Sequence, residues 1–205
     1  MGLERKIYFD NAATTPIRKE VQEAMCEALS FYGNPSSTHL FGRTSKALIE
    51  KARKNIAKEL GATSAEIIFT SGGTEAINMI LKGAVCALGI TQIITSPTEH
   101  HAVLHTTQSI EDEYGIRVSF GKLTPKGTPD LNHLEKLLSE FLSDEKVLVS
   151  LMQVNNEIGN ILPIERVGNI CRKYNAYFHC DTVQSIGHFT FDLSRIPVDF
   201  ITASA

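Results

Sequence analysis

The sequence has no tryptophan and no two cysteines in a C-x-x-C arrangement. Without such pairs, neither a zinc ribbon nor a disulfide scaffold is indicated. Reduced thiols in a cytoplasmic protein are the simplest interpretation, with each thiol acting as a small buried apolar side chain. The cysteines are Cys26, Cys86, Cys171 and Cys180.

The sequence also lacks a strong charge of either sign and a long apolar run. A formal net charge of −3 provides no field that would attract nucleic acid or an anionic membrane, so neither is expected as a partner. The longest mainly apolar stretch, residues 76–90, contains Asn78 and Lys82 and is too short to cross a bilayer. The first ten residues are charged and then strand-like, which is not expected of a signal peptide.

Helical and strand-like patterns alternate along the chain. Apolar residues recur at helical spacing over residues 15–30, 43–60, 130–141 and 163–174, and Asp130 is expected to cap the third of these helices. Short apolar runs lie between them, at residues 66–70, 92–96, 116–120, 147–152, 176–180 and 199–204. Several runs are apolar on both faces, as parallel strands covered by helices are. The alternation predicts an α/β fold with a doubly wound, mainly parallel sheet.

A glycine-containing turn, TSGGTEAIN at residues 70–78, follows the first predicted strand and opens a helix. Gly72 and Gly73 allow the backbone to approach a ligand, and a helix N-terminus with the Thr74 hydroxyl suits a phosphate. The segment matches neither the dinucleotide nor the Walker glycine motif. A plain turn capped by Thr74 is the alternative.

The segment TEHHAVLH at residues 98–105 begins where the next predicted strand ends. His100 could stack on a flat ring and exchange protons near neutral pH. Its alternative is a solvent-facing histidine that caps a helix. His101 and His105 are four residues apart and could share a metal, but the Glu of an H-E-x-x-H motif is missing, so no metal site is predicted.

Two further predicted strands also end in polar residues. QVNNEIG at residues 153–159 places Asn155 and Asn156 in a loop, where one amide could bind a phenolic oxygen and an Asx turn is the alternative. HCDTVQS at residues 179–185 places Asp181 at a strand end, where it could pair with a ring nitrogen or a metal, or cap a turn. Together with the two preceding segments, these groups match the phosphate, ring face, phenolic oxygen and ring nitrogen of pyridoxal 5'-phosphate.

The chain resembles the pyridoxal-phosphate-dependent cysteine desulfurases, in particular the class that serves iron–sulfur cluster assembly and nitrogen fixation. The resemblance runs from Tyr8 to Ser204 and rests on six motifs in order: YFDNAATTP, GNPSSTHLFGR, FTSGGTEAIN, TEHHAVL, VNNEIG and HCDTVQS. It implies the large domain of a fold-type I pyridoxal-phosphate enzyme, truncated at its C-terminal end. Residues 16–205 would form this incomplete domain, and residues 1–15 would pack with a smaller domain that is absent.

The resemblance also implies a role for each matching residue. Gly73, Thr74 and Ser204 would bind the cofactor phosphate. His100 would stack on the ring and take part in proton transfers.

At the ring edge, Asn156 and Gln184 would contact the phenolic oxygen. Asp181 would keep the pyridine nitrogen protonated, because a carboxylate beside that nitrogen favours the pyridinium form, which makes the ring an electron sink.

The implied activity is conversion of L-cysteine to L-alanine, with sulfur passed to an enzyme cysteine as a persulfide for iron–sulfur cluster or thiolation pathways. A homodimer and a sulfur-acceptor or scaffold protein are the implied partners. The sequence departs from the family after Ser204, where a small residue, His and the cofactor-bearing Lys should follow. Ala205 fits the small residue, but the lysine and the catalytic cysteine are missing, so the chain alone is expected to be inactive.

Three alternatives remain open on the sequence. The intact protein could be a related enzyme, such as a selenocysteine lyase or an aminotransferase of the same fold. The chain could be a non-catalytic product of a truncated or split gene. A zinc hydrolase that uses His101 and His105 is the third.

Overall fold

A five-stranded parallel sheet forms the centre of the structure, a computed structural model that describes residues 7–142 and 145–204. Within these residues the strands are β1 (Gln92–Thr95), β2 (Arg117–Phe120), β3 (Val147–Met152), β4 (Tyr177–Asp181) and β5 (Phe200–Thr202). They are arranged in the order β2-β1-β3-β4-β5, and every pairing is parallel. The predicted parallel sheet is confirmed.

Helices connect most of these strands. They are α1 (Lys19–Ala28), α2 (Leu40–Leu60), α3 (Gly73–Gly83), α4 (His101–Tyr114), α5 (Leu131–Ser139) and α6 (Ile164–Lys173), with a 3-10 turn at Ser64–Glu66 and a π-helical turn at Ala84–Leu88. Because the strand order reverses between β1 and β3, the loops after these two strands diverge and leave a crevice at the carboxyl edge of the sheet.

Apolar clusters cover both faces of the sheet. Ile93 and Leu148 belong to a cluster with α3 and α4, whereas the adjacent Ile94 and Val149 belong to a cluster with α5 and α6. Successive residues of a strand point to opposite faces, so the strand residues must be apolar throughout. All six residues of β3 are accordingly buried.

Helix boundaries follow local backbone chemistry. The Asp130 side chain accepts hydrogen bonds from the backbone amides of Asn132 and His133, which confirms the predicted cap of α5. Gly61 follows α2 with a φ of 66°, a left-handed conformation that favours glycine after a helix. The first predicted helix is shorter than expected, since α1 begins at Lys19 and not near Thr15.

The strand predicted at residues 66–70 does not form. Its first residue ends the 3-10 turn, and Ile67 is extended without a strand partner among the described residues. Ile68 and Phe69 are 64% and 48% exposed. An extended segment becomes a strand only when a neighbour completes its backbone hydrogen bonds. The prediction was wrong because an apolar run does not show whether such a neighbour is available.

The chain divides into two units. The first covers Met1–Lys58 and Thr63–Ile67, of which residues 7 onward are described, and contains α1 and most of α2. Its α1 buries no residue. The second covers Glu59–Ala62 and Ile68–Ala205 and contains the whole sheet.

None of the helices in the described part of the chain is both long enough and apolar enough to cross a membrane.

Candidate functional site

The residues expected to bind the cofactor all lie in the second unit, close to the carboxyl ends of the strands or at the start of α3. His100 follows β1, Asn156 follows β3, Asp181 ends β4, Gln184 lies in the turn after it and Ser204 follows β5, while Gly73 and Thr74 begin α3. The sequence therefore identified correctly the sheet edge at which these groups occur. Parallel strands bring their carboxyl ends to one edge, where ligands of α/β proteins bind.

Gly73 shows that three segments of this edge converge. A Cβ atom added to Gly73 would lie 3.3 Å from Cγ2 of Val183 and 3.8 Å from Cβ of Ser204. No side chain caps α3, so the first-turn amides, which have no partner within a helix, remain directed outward. Thr74 is exposed in that first turn. The arrangement offers donors and a positive dipole end to an anion.

His100 occupies the N-cap position of α4. Its Nδ1 accepts a 3.1 Å hydrogen bond from the Ala102 amide, which leaves Nε2 as the nitrogen that carries the proton in the neutral ring. The ring is exposed, and its proximity lowers the pKa of Asp181. The capping alternative is thus observed, and it fixes one ring nitrogen while leaving the other available.

The two asparagines after β3 differ in their environment. Asn155 is buried, donates 2.7 Å from Nδ2 to the Thr98 carbonyl and accepts from the Glu157 and Ile158 amides at its Oδ1. These bonds form an Asx turn and connect the β3 loop to the β1–α4 loop. Asn156 is half-buried, and its Nδ2 bonds only the neighbouring Glu157 carboxylate in the described residues, at 2.9 Å. Of the two asparagines, Asn156 is the one whose side-chain amide can turn to bond a ligand.

Asp181 is a buried carboxylate, 3% exposed. Desolvation raises the pKa of this carboxyl above its usual range, although the Val183 amide, the His100 ring and the Thr202 hydroxyl each oppose the rise. The Val183 amide donates to Oδ1 at 3.0 Å. Within the described part of the chain, no lysine or arginine contributes to this shift. A buried carboxylate without a cationic partner is costly, which is the condition expected when the partner is a bound ligand.

A polar chain lies behind Asp181 within the sheet. His179 is fully buried on β4. Its Nδ1 forms a 2.9 Å hydrogen bond with the Ser150 hydroxyl, and its Nε2 forms a 3.2 Å hydrogen bond with the Thr202 hydroxyl. Desolvation lowers the pKa of His179 to about 3, so the ring is neutral. His179 was not predicted to belong to the site, although residues two apart in a strand share a face, which places His179 on the same face as Asp181.

Glu99 is the second residue that the sequence analysis missed. It is 6% exposed, and Ser96 Oγ donates to its Oε1 at 2.7 Å. Desolvation is the main cause that raises the pKa of Glu99 to about 8, and the Asp181 charge adds to it. The sequence gives one indication of its role, since this glutamate closely follows the buried strand β1 and precedes His100.

Gln184 and Ser204 complete the expected set. Gln184 is half-buried in the turn after β4, which the Thr182 amide fixes by donating to the Thr202 carbonyl at 2.8 Å. Ser204 is exposed just after β5. Ala205, which the sequence matched to the small residue of the family motif, lies outside the described residues.

His101 and His105 lie together on α4, with ring centroids 5.6 Å apart. In residues 7–142 and 145–204, no group of three or more histidine, cysteine or acidic side chains is arranged to hold a metal ion. The zinc alternative therefore gains no support from this pair of rings.

The cysteines were predicted to be small buried side chains, and this is confirmed for Cys171 and Cys180 only. Cys26 and Cys86 are exposed, so the prediction was wrong for them. Cys26 lies on α1, which buries no residue, and Cys86 lies on the outer side of the π-helical turn. Burial of a cysteine depends on the packing of its helix, which a single residue does not reveal.

Comparison with known proteins gives consistent matches over nearly the whole chain. The family model for aminotransferase class-V matches residues 7–205. Cysteine desulfurase IscS of Dictyoglomus turgidum is 45% identical over 206 residues, which cover 99% of this chain and 51% of that protein. Cysteine desulfurase IscS of Methanosarcina thermophila is 43% identical over 203 residues, 98% of this chain and 49% of that protein.

Solved structures show the same relationship. A NifS-like protein superposes with a TM-score of 0.90 at 40% identity, covering 98% of this chain and 55% of that one. SspA in complex with cysteine superposes with a TM-score of 0.88 at 32% identity, covering 96% and 56%. The chain thus spans about half the length of the curated relatives it matches.

Proposed function

Since this chain belongs to the aminotransferase class-V family, we propose that it is the N-terminal half of a pyridoxal-phosphate-dependent cysteine desulfurase. The observation that carries the proposal is Asp181, a buried carboxylate at a strand end whose pKa is lowered by no lysine or arginine of the described residues. A pyridinium nitrogen is a flat, singly charged cation and would compensate this carboxylate.

The residues present fit pyridoxal 5'-phosphate at its other end as well. The uncapped start of α3 supplies amide donors and a positive dipole end for the phosphate. Val183 and Ser204 lie close to Gly73, and an added Cβ would crowd the Val183 methyl at 3.3 Å. Gly73, Thr74 and Ser204 would therefore hold the phosphate, through backbone amides and two hydroxyl groups.

The remaining roles concern the ring. His100 would lie against its face, with Nε2 available to hold or release a proton, because Nδ1 is engaged by the Ala102 amide. Asn156 and Gln184 would donate to the phenolic oxygen. When bound, the cofactor supplies an electron sink that the side chains of a protein lack.

The intact enzyme would release L-alanine from L-cysteine and pass the sulfur to a cysteine of its own as a persulfide, for iron–sulfur cluster or thiolation pathways. Support comes from the relatives named cysteine desulfurase and from the structural neighbour whose crystals contain cysteine. A cytoplasmic location, a homodimer and a sulfur-acceptor or scaffold protein are parts of the same proposal.

The test uses the complete native protein, loaded with pyridoxal phosphate, and the variant Asp181→Asn. This substitution keeps the size of the side chain and removes its charge. We expect alanine formation from L-cysteine to fall about ten- to a hundredfold, on the scale of ~1.5–3 kcal/mol for a hydrogen bond to a charged group. Alanine is quantified by chromatography, and bound cofactor by its absorbance.

Asp112→Asn is the matched control, because Asp112 is exposed on α4 and bonds only the Gln108 side chain in the described residues. It should react at the wild-type rate. Alanine formation by Asp181→Asn at that same rate would contradict the role of Asp181, and failure of the wild-type protein to bind pyridoxal phosphate would contradict the proposed function.

A further inference from the structure

Glu99 is a buried carboxyl group that none of the proposed roles uses. It lies in the loop between β1 and α4 and is 6% exposed. Its Oε1 accepts from Ser96 Oγ at 2.7 Å, but its Oε2 is buried and has no hydrogen-bond partner among the described residues. A backbone hydrogen bond from Met152 also favours the ionised form, but it does not offset desolvation. Burying a charged oxygen without a donor is costly, so these surroundings favour the neutral acid.

Asp181, the neighbouring carboxyl group, has neither of its oxygens among the buried atoms without a partner in the described residues. The Val183 amide bonds its Oδ1 at 3.0 Å, and the Thr202 hydroxyl and the His100 ring also favour its charged form. Its negative charge is one of the causes that raise the pKa of Glu99, after desolvation. Two neighbouring buried carboxyl groups rarely ionise together, and the one with an oxygen that lacks a donor retains the proton.

The loops that carry the pair are joined across the sheet edge. Asn155 Nδ2 donates to the Thr98 carbonyl, next to Glu99, and the Gln153 amide donates to the Asp181 carbonyl at 2.9 Å. The segment after β3 therefore holds both the Glu99 loop and the end of β4. These hydrogen bonds brace the backbone on which the two carboxyl groups are carried.

We propose that Glu99 is a positioning residue, which carries the single proton of the Glu99–Asp181 pair and so leaves Asp181 as the carboxylate that faces a cationic ring nitrogen. The location of the proton concerns this chain alone, whereas the role of Asp181 toward a ring rests on the proposed function. The other titratable groups that face the pair are Cys180 of β4 and His100 at the start of α4. In residues 7–142 and 145–204, no lysine or arginine contributes to the pKa shift of either carboxyl group.

One proton on Glu99 matches the charges of the site. The pair then carries one negative charge, which a singly charged ring nitrogen compensates. If both groups ionised, the two charges would repel each other and one would remain buried without a partner. A neutral Glu99 does not repel the Asp181 carboxylate, so Asp181 keeps the orientation that its own hydrogen-bond donors give it.

The test is infrared spectroscopy of the complete native protein, before and after it is loaded with pyridoxal phosphate. A protonated carboxyl group shows a carbonyl band that an ionised one lacks. In the cofactor-free protein we expect this band at neutral pH and its disappearance as the pH rises through about 8. The band should be absent in Glu99→Gln.

Asp181→Asn provides a second measurement that does not depend on the folding of the first variant. Removing the Asp181 charge should keep the band and move its midpoint to lower pH, because a like charge no longer opposes ionisation of Glu99. Glu113→Gln is the matched control, since Glu113 is exposed on α4 and its pKa is lowered by the Ser109 hydroxyl, and it should leave the band unchanged.

A band that persists in Glu99→Gln, or that vanishes in Asp181→Asn, would overturn the inference, because the proton would then lie elsewhere. The two hypotheses fail in different ways. If pyridoxal phosphate does not bind, the proposed function fails and the infrared result still decides where the proton lies. If the cofactor binds and its ¹⁵N-labelled ring nitrogen is protonated while the Glu99 band is missing, only this inference fails.

Discussion

Two buried ionisable residues should make the free energy of unfolding of this protein depend on pH. Glu99 and His179 are both held in their neutral forms, by desolvation in each case. The pKa of Glu99 is raised from 4.5 to about 8, and that of His179 is lowered from 6.5 to about 3. In the unfolded chain both groups return to their ordinary values, so each one links folding to proton binding.

The free energy of unfolding should fall as the pH rises from 6.5 to 8. In this range the folded protein retains the Glu99 proton that the unfolded chain has released, so alkali favours unfolding by up to about 1.4 kcal/mol per pH unit. Between pH 4.5 and 6.5 the two groups act in opposite directions and offset each other, since His179 destabilises the fold only when the unfolded chain can protonate it. Urea unfolding of the complete protein at a series of pH values measures this.

Glu99→Gln should remove most of the slope between pH 6.5 and 8, whereas Glu113→Gln should keep it because Glu113 is exposed. An unchanged slope in Glu99→Gln would show that Glu99 is ionised in the folded protein.

Individual residues differ in how far the sequence could predict them. The positions of Asp181 and His100 at strand ends followed from the motifs and the strand pattern, and the structure confirms those positions. Glu99 was not foreseen, because a glutamate in a polar motif is normally exposed. Its burial arises from the packing of the β3 and β4 ends around it, which are more than fifty residues away in the sequence.

At the scale of elements, α6 packs unusually close to the segment before β5. A Cβ atom added to Gly168 would overlap the Pro197 carbonyl oxygen and lie 2.6 Å from the Pro197 Cγ. Glycine in the middle of a helix normally destabilises it by about 1 kcal/mol relative to alanine. Here the glycine allows the helix to approach the Pro197 carbonyl group. Alanine has the higher helix propensity, but its Cβ would force the helix and the Pro197 segment apart.

Gly168→Ala should therefore destabilise the complete protein, by roughly 1–3 kcal/mol as for other overpacked sites. Gly83→Ala is the matched control, because Gly83 ends α3 with helical dihedral angles and an added Cβ would meet nothing within 4 Å. That variant should be stabilised by about 0.5–1 kcal/mol. Equal melting temperatures for the two variants would contradict the close contact with Pro197.

Helices and strands could be predicted where they depend only on residues within the same segment. The predicted parallel strands correspond to β1, β2, β3, β4 and β5, and Asp130 caps α5 as expected. The segment 66–70 was mispredicted because its apolar residues have the composition of a strand but no strand partner in the described chain. Strand pairing depends on residues that are distant in the sequence, and the apolar pattern within one segment does not indicate it.

At the scale of the whole molecule, much apolar surface of the first unit is exposed. Val21, Met25 and Leu29 are 47%, 54% and 83% exposed and recur every four residues along α1. This spacing places them on one side of the helix. An apolar side without a covering element is a site of association.

We expect the 205-residue chain on its own to self-associate at micromolar concentration, and Met25→Lys to reduce the association. Glu27→Gln is the control, because it changes the charge of α1 by the same one unit on the side opposite these apolar residues. Light scattering and sedimentation velocity measure the mass in solution. A monomeric wild-type chain, or equal effects of the two variants, would contradict the role of this surface.

The hydrogen bond from Asn155 to the Thr98 carbonyl has a consequence for motion. The same side chain also holds the Glu157 and Ile158 amides, so one residue both shapes the loop after β3 and ties it to the loop after β1. Separating the two loops breaks the bond from Asn155 to Thr98, so their opening should belong to the slower, collective timescale of local unfolding. A ligand that reaches this edge would therefore meet two loops whose separation costs free energy.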